Sequence, residues 1–94
     1  MSDDETLNIA EIPDENGNPK FRYARVLAAD GSRWIRQGRF EAYYPDGKLA
    51  SEGEYRDGKE HGPWKDYHPD GRLAAEGDYE SGQKIGEWKY FDAR

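Results

Sequence analysis

Apolar and charged residues alternate almost one by one from Phe21 onwards, in short runs broken by glycine turns. Phe40, Ala42 and Tyr44 interleave with Glu41 and Tyr43, and Leu49, Ser51, Gly53 and Tyr55 interleave with Ala50, Glu52 and Glu54. A period of two puts successive side chains on opposite faces of an extended chain; a helix needs apolar residues recurring at three and four. The runs therefore predict strands. Arg33–Gln37 and Phe40–Tyr44 read as separate strands divided at Gly38, and Trp64–His68 as a strand after a loop. Asp30-Gly31, Arg56-Asp57-Gly58 and Ser81-Gly82 signal hairpin reversals. In Pro45-Asp46-Gly47-Lys48 and Pro69-Asp70-Gly71-Arg72 the proline presets φ and the glycine takes the positive-φ position. The expected fold is all-β: an antiparallel hairpin meander of eight short strands with seven reversals.

The runs also repeat every 24 residues. Gly38-Arg39-Phe40 recurs as Gly62-Pro63-Trp64 and Gly86-Glu87-Trp88, and Glu52-Gly53-Glu54-Tyr55 recurs as Glu76-Gly77-Asp78-Tyr79. Such a period means stacked supersecondary units, in which position in the stack sets residue type. Phe40, Trp64 and Trp88 fall on one face together with Gly53 and Gly77. A glycine opposite a ring leaves room for the ring to lie flat, so these five residues read as the structural repeat. The other face carries Glu52, Glu54, Glu76 and Asp78, which is a solvent pattern. One aromatic and one charged face imply a single-layer or curled sheet. Tyr43, Tyr67 and Phe91 fall in register on the charged face, where the fold has no evident need of rings.

Composition narrows the class further. Only nine residues are Leu, Ile or Val while thirteen are aromatic, so the core must be thin and built from rings. The chain lacks cysteine, which excludes disulfides and thiolate metal sites. No apolar run reaches the roughly 20 residues of a membrane span, and the N-terminus lacks the pattern of a signal peptide; the expected location is cytoplasmic. The net charge of −6 is unevenly spread. Residues 1–19 hold six acidic groups and no basic one, whereas residues 20–39 hold Lys20, Arg22, Arg25, Arg33, Arg36 and Arg39 against Asp30 alone. The expected organisation is an acidic flexible arm over residues 1–19, flexible or loosely docked, followed by a repeat domain over 20–94. Leu7, Ile9 and Ile12 are the arm's only residues to bury, and their spacing fits neither a helix nor a clean strand.

The segment from Glu52 to Gly62, acidic-Gly-x-aromatic followed by x-x-Gly-x-x-His-Gly, resembles the MORN repeat (membrane occupation and recognition nexus). Glu76 to Gly86 is a second copy, with Ile85 in the histidine place. Gly62-Pro63-Trp64 and Gly86-Glu87-Trp88 stand where the usual repeat continues Gly-x-Gly, and this departure resembles the bacterial variant subgroup often labelled antitoxins. The resemblance covers residues 38–94 well and 20–37 poorly. It implies a non-enzymatic protein-binding module, either an inhibitor or antitoxin-like partner of a toxin or other effector, or a scaffold or membrane-surface adaptor.

The residues themselves offer no competing chemistry. His61 and His68 have no third nitrogen ligand or thiol beside them, and the serines have no partnering base, so no catalytic, metal or cofactor site is expected. The arginines interleave with Phe21, Tyr23 and Trp34, a mixture that can serve nucleic acid; the acidic balance of the chain opposes that use. A membrane role would need basic surface beyond residues 20–39, and residues 40–94 are net acidic. The candidate partner-binding residues are thus Tyr43, Tyr67 and Phe91 with Arg22, Arg25, Arg33 and Arg36, and the expected partner is another protein.

Overall fold

The computed structural model describes residues 7–92. Seven strands lie side by side in chain order in one open sheet: β1 (Leu7–Pro13), β2 (Pro19–Leu27), β3 (Trp34–Tyr43), β4 (Leu49–Arg56), β5 (Lys59–Tyr67), β6 (Leu73–Glu80) and β7 (Gln83–Tyr90). Every neighbouring pair is antiparallel. The molecule measures 48 × 37 × 20 Å, as a single layer requires.

The meander is as the alternation predicts, but the strand count is seven rather than eight, and one of the seven, β1, lies ahead of the segment in which the eight are expected. Gly38 does not divide two strands. Its φ of +103° lets β3 bulge and continue, so that Arg33–Gln37 and Phe40–Tyr44 belong to one element. The residues before Trp64 are likewise strand rather than loop, because Asp57 and Gly58 both take positive φ and close a two-residue turn. That conformation, repeated at Ser81 and Gly82, matches the twist of the flanking strands. The Pro-Asp-Gly turns close differently: the Gly47 N–H donates to the Tyr44 carbonyl and the Tyr44 N–H to Lys48, each at 2.8 Å. The Asp46 carboxylate accepts the Lys48 N–H at 2.9 Å.

Leu7–Pro13, read from sequence as part of a flexible or loosely docked arm, is the sheet's edge strand, paired with β2 from Leu7↔Val26 to Ile12↔Phe21. The paired segment buries only Ala10, and Leu7, Ile9 and Ile12 stay largely exposed. Leu7 and Ile9 share one face while Ile12 takes the other, which is why their spacing carried no strand signal. The most acidic part of the arm, Asp3 to Glu5, lies outside the described residues.

The core is a row of rings on one face. Phe40 and Trp64 are buried, and ring centroids 5.1 to 6.4 Å apart run through Phe21, Tyr23, Phe40, Tyr55, Trp64, Tyr79, Trp88 and Tyr90. Trp64 lies flat on Gly53: a Cβ at Gly53 would fall 2.3 Å from the indole, and Gly77 stands in the same relation to Trp88. Each indole N–H then donates to the carbonyl of the next residue on that strand, Trp64 to Glu54 and Trp88 to Asp78, both at 3.0 Å. Room for the ring comes from the facing bulge. Glu52 pairs Lys65 while Glu54 pairs His61, so Gly62-Pro63-Trp64 spans the gap opposite Gly53 alone. The pairs Glu76↔Lys89 and Asp78↔Ile85 leave the same gap opposite Gly77.

Candidate functional site

The residues singled out from sequence do not form one surface. Tyr43, Tyr67 and Arg22 lie on the charged face, and Arg25 and Arg36 lie at one end of the aromatic face.

On the charged face the polar groups satisfy one another. The Tyr43 hydroxyl donates to Glu41 Oε1 at 2.6 Å, the Tyr67 hydroxyl donates to Glu52 Oε2, and Arg39 bridges the Glu41 and Glu52 carboxylates. Arg22 bonds Glu11 at 3.1 Å and lies 3.9 Å from Glu41. The hydroxyls hold both carboxyls below the usual glutamate range, with Tyr43 the main cause at Glu41 and Tyr67 at Glu52. Burial and the bond to Glu52 in turn push the Tyr67 phenol up to about 12. Both tyrosines are half-buried. Their hydroxyls are thus tied into a network within the sheet. Phe91 follows β7 and is exposed; its carbonyl lies 2.7 Å from His68 Nε2, as the Tyr67 carbonyl accepts from the Tyr44 hydroxyl at 2.6 Å. His68 therefore does one repeat later what Tyr44 does, and both ring and hydroxyl tie adjacent turns together.

The other arginines are arranged differently. Arg25 and Arg36 are direct cross-strand partners on β2 and β3. Like charges in that position destabilise a sheet. Each guanidinium turns to a ring instead: Arg25 sits 4.2 Å from the Trp34 centroid, and Arg36 lies 4.8 Å from Tyr23 and 5.3 Å from Tyr55. Arg25 also donates to the Asn8 side-chain carbonyl at 3.0 Å. Among the described residues no carboxylate lies within 4.0 Å of Arg25, Arg33 or Arg36, although Arg22 and Arg39 are both ion-paired. Together with Tyr23 and Trp34 these three line an open recess of about 350 Å³. Trp34 is 44% exposed. The site is thus a cationic corner with aromatic walls. Trp34 belongs to it, and the signal for it in the sequence was its place two residues before Arg36 on an alternating strand. The described residues hold no cluster of three or more potential metal ligands.

Residues 36–57 and 60–81 match the family model described as MORN repeat variant. These two stretches are similar to the MORN repeat variant. Each unit begins on one bulged strand and ends at the tight turn before the next, and holds one core ring, one Pro-Asp-Gly turn and one glycine that lies under a ring, Gly53 of the first unit under Trp64 of the second and Gly77 under Trp88 beyond it. The match names the repeat, and nothing in it singles out the antitoxin-like subgroup. No curated protein and no solved structure matches the chain. MORN repeats are generally modules that bind proteins or membranes. The cationic corner lies largely ahead of the first matched unit, with only Arg36 inside it.

Proposed function

We propose that the chain is a protein-binding module that docks an acidic segment of another protein in the corner formed by Arg25, Arg33, Arg36 and Trp34. The observation that carries this reading is the Arg25–Arg36 pair. Two arginines are direct cross-strand partners, where like charges repel, and among the described residues neither has a carboxylate beside it, in a chain that pairs Arg22 and Arg39. An acidic ligand would relieve that repulsion, and the fixed rings hold both forks in place at little further entropic cost. The planar guanidinium suits bidentate carboxylate recognition, while Trp34 offers an exposed ring of the kind that anchors interfaces. The charged-face tyrosines contribute to stability in this account and not to docking. Inhibition of an effector, which the resemblance to antitoxin-like proteins implies, is a use this docking mode would serve.

The membrane-adaptor reading draws on the same arginines and is separated by experiment. Native-lysate capture with the wild-type chain and with Arg25→Glu/Arg36→Glu, run beside co-sedimentation with phosphatidylserine-containing vesicles, distinguishes them. The proposal expects a captured protein that the double variant loses, with salt-sensitive association because exposed charges steer encounter, and no vesicle binding. Salt-sensitive binding of the wild-type chain to the vesicles would move the function to the membrane surface.

A further inference from the structure

Three strands of the sheet are equivalent by repeat: β3, β5 and β7 each carry a positive-φ glycine two residues before the core ring. On the far side of β3, strand β4 sets Tyr55 opposite Gly38; on the far side of β5, strand β6 sets Tyr79 opposite Gly62 and Glu76 opposite Lys65. Strand β7 has the same glycine and the same lysine, Gly86 and Lys89, and among the described residues no strand follows it. The cost shows in exposure. Tyr90 is 64% exposed, Ile85 and Phe91 stand out on the other face at 42% and 43%, and Trp88 is less buried than Trp64. The Phe91 N–H donates inward to the Ala74 carbonyl at 2.8 Å. By alternation the backbone groups of Trp88 and Tyr90 then face outward, a row of unpaired donors and acceptors that templates another strand.

We propose that this edge pairs antiparallel with β7 of a second copy of the chain, with Trp88 opposite its own counterpart on the two-fold axis. In that register Gly86 faces the second copy's Tyr90, which repeats the Gly38–Tyr55 and Gly62–Tyr79 pairs inside the chain. Glu87 faces Lys89 twice over, repeating the Lys65–Glu76 pair. Ile85 covers Phe91, and Lys84 faces Asp92. Every exposed apolar residue and every charge from 84 to 92 meets a complementary one, and the interface is self-complementary as a two-fold contact must be. Because each indole lies back over Gly77 of its own chain, the two Trp88 rings lean apart and leave the axis open for the Tyr90 rings. On the opposite edge β1 ends at Pro13 beside a register shift.

Sedimentation velocity over a rising series of concentrations tests the pairing, with far-UV circular dichroism as the control for folding. The wild-type chain should approach twice its 10.8 kDa mass. Glu87→Lys and Lys89→Glu should each weaken the dimer about tenfold, since each replaces two opposite-charge pairs by like-charge pairs. Mixing the two variants, or joining both changes in one chain, should restore it, because lysine then meets glutamate again in the same register. A wild-type chain that stays monomeric throughout overturns the proposal. So does a dimer that ignores both single changes, or two folded variants whose mixture remains monomeric.

Discussion

Gly53→Ala adds one methyl group at the point where the sheet has no space for it. The new Cβ would fall 2.3 Å from Cδ2 and Cε2 of Trp64, against 3.4 Å or more for an ordinary contact. The indole must retreat by roughly 1 Å, and it is held on several sides: by Phe40 at 5.4 Å, Tyr55 at 5.6 Å, Tyr79 at 5.5 Å and the 3.0 Å bond to the Glu54 carbonyl. Overpacking of this kind costs about 1–3 kcal/mol, and loss of the hydrogen bond adds about 1 kcal/mol. The alanine returns about 0.4–1 kcal/mol by restricting the unfolded chain. The net expectation is a destabilisation of about 2–3 kcal/mol, a large share of a small domain's stability. Urea unfolding followed by circular dichroism measures it as a shift of midpoint at constant slope. The mechanism has a sharper signature in a double-mutant cycle. Trp64→Ala alone should cost about 3–5 kcal/mol, but in that background Gly53→Ala should be nearly neutral or stabilising, because the ring it strikes is gone. An equal cost in both backgrounds would refute the steric argument and place the role of Gly53 in its backbone alone.

Trp88 makes the same contact with Gly77 but sits on the outermost strand, so Trp88→Ala should cost about half as much as Trp64→Ala in dilute monomer, read by the same urea titration. The charged-face network sets the pH limits. Glu41 and Glu52 have lowered folded-state values, so their contribution is present above the unfolded carboxylate range of roughly 4.3 and is lost as pH falls below it. Glu52→Gln should flatten that acid limb. Tyr67 runs the other way: its folded value is raised to about 12 from 10.0, so its contribution holds below pH 10 and disappears between there and about 12. Tyr67→Phe should remove this alkaline limb in a melting-temperature profile against pH.

Much of the architecture is legible in the residues because the repeat makes every position testable against its copies. That each core ring lies over a glycine of a neighbouring strand follows from alternation and hairpin pairing, and the Pro-Asp-Gly turns follow from their chemistry. Three features escaped. Gly38 reads as a strand break, although a positive-φ glycine can equally sit in a bulge; only the pairing of Phe40 with Gly53 and Arg36 with Arg25 decides between them. Strand β1 is hidden because its apolar residues straddle two faces and its one buried side chain is an alanine. The functional set divides for a related reason. Alternation places Tyr43 and Tyr67 on the charged face correctly, but it gives no account of the glutamates that take up their hydroxyls. Arg22 and Arg25 look alike in sequence, and only an odd separation along β2 sends one to Glu11 and the other to Trp34.

The claim that the cationic corner, and not the tyrosine row, receives the partner is tested most directly by site-specific photocrosslinking. A photoreactive phenylalanine analogue is placed at position 34 in one protein and at position 67 in another, and each is irradiated in native lysate. The account predicts a discrete protein adduct from position 34 that Arg25→Glu/Arg36→Glu abolishes, and no adduct from position 67. An adduct from position 67 with none from position 34 would contradict it and return the docking surface to the charged face.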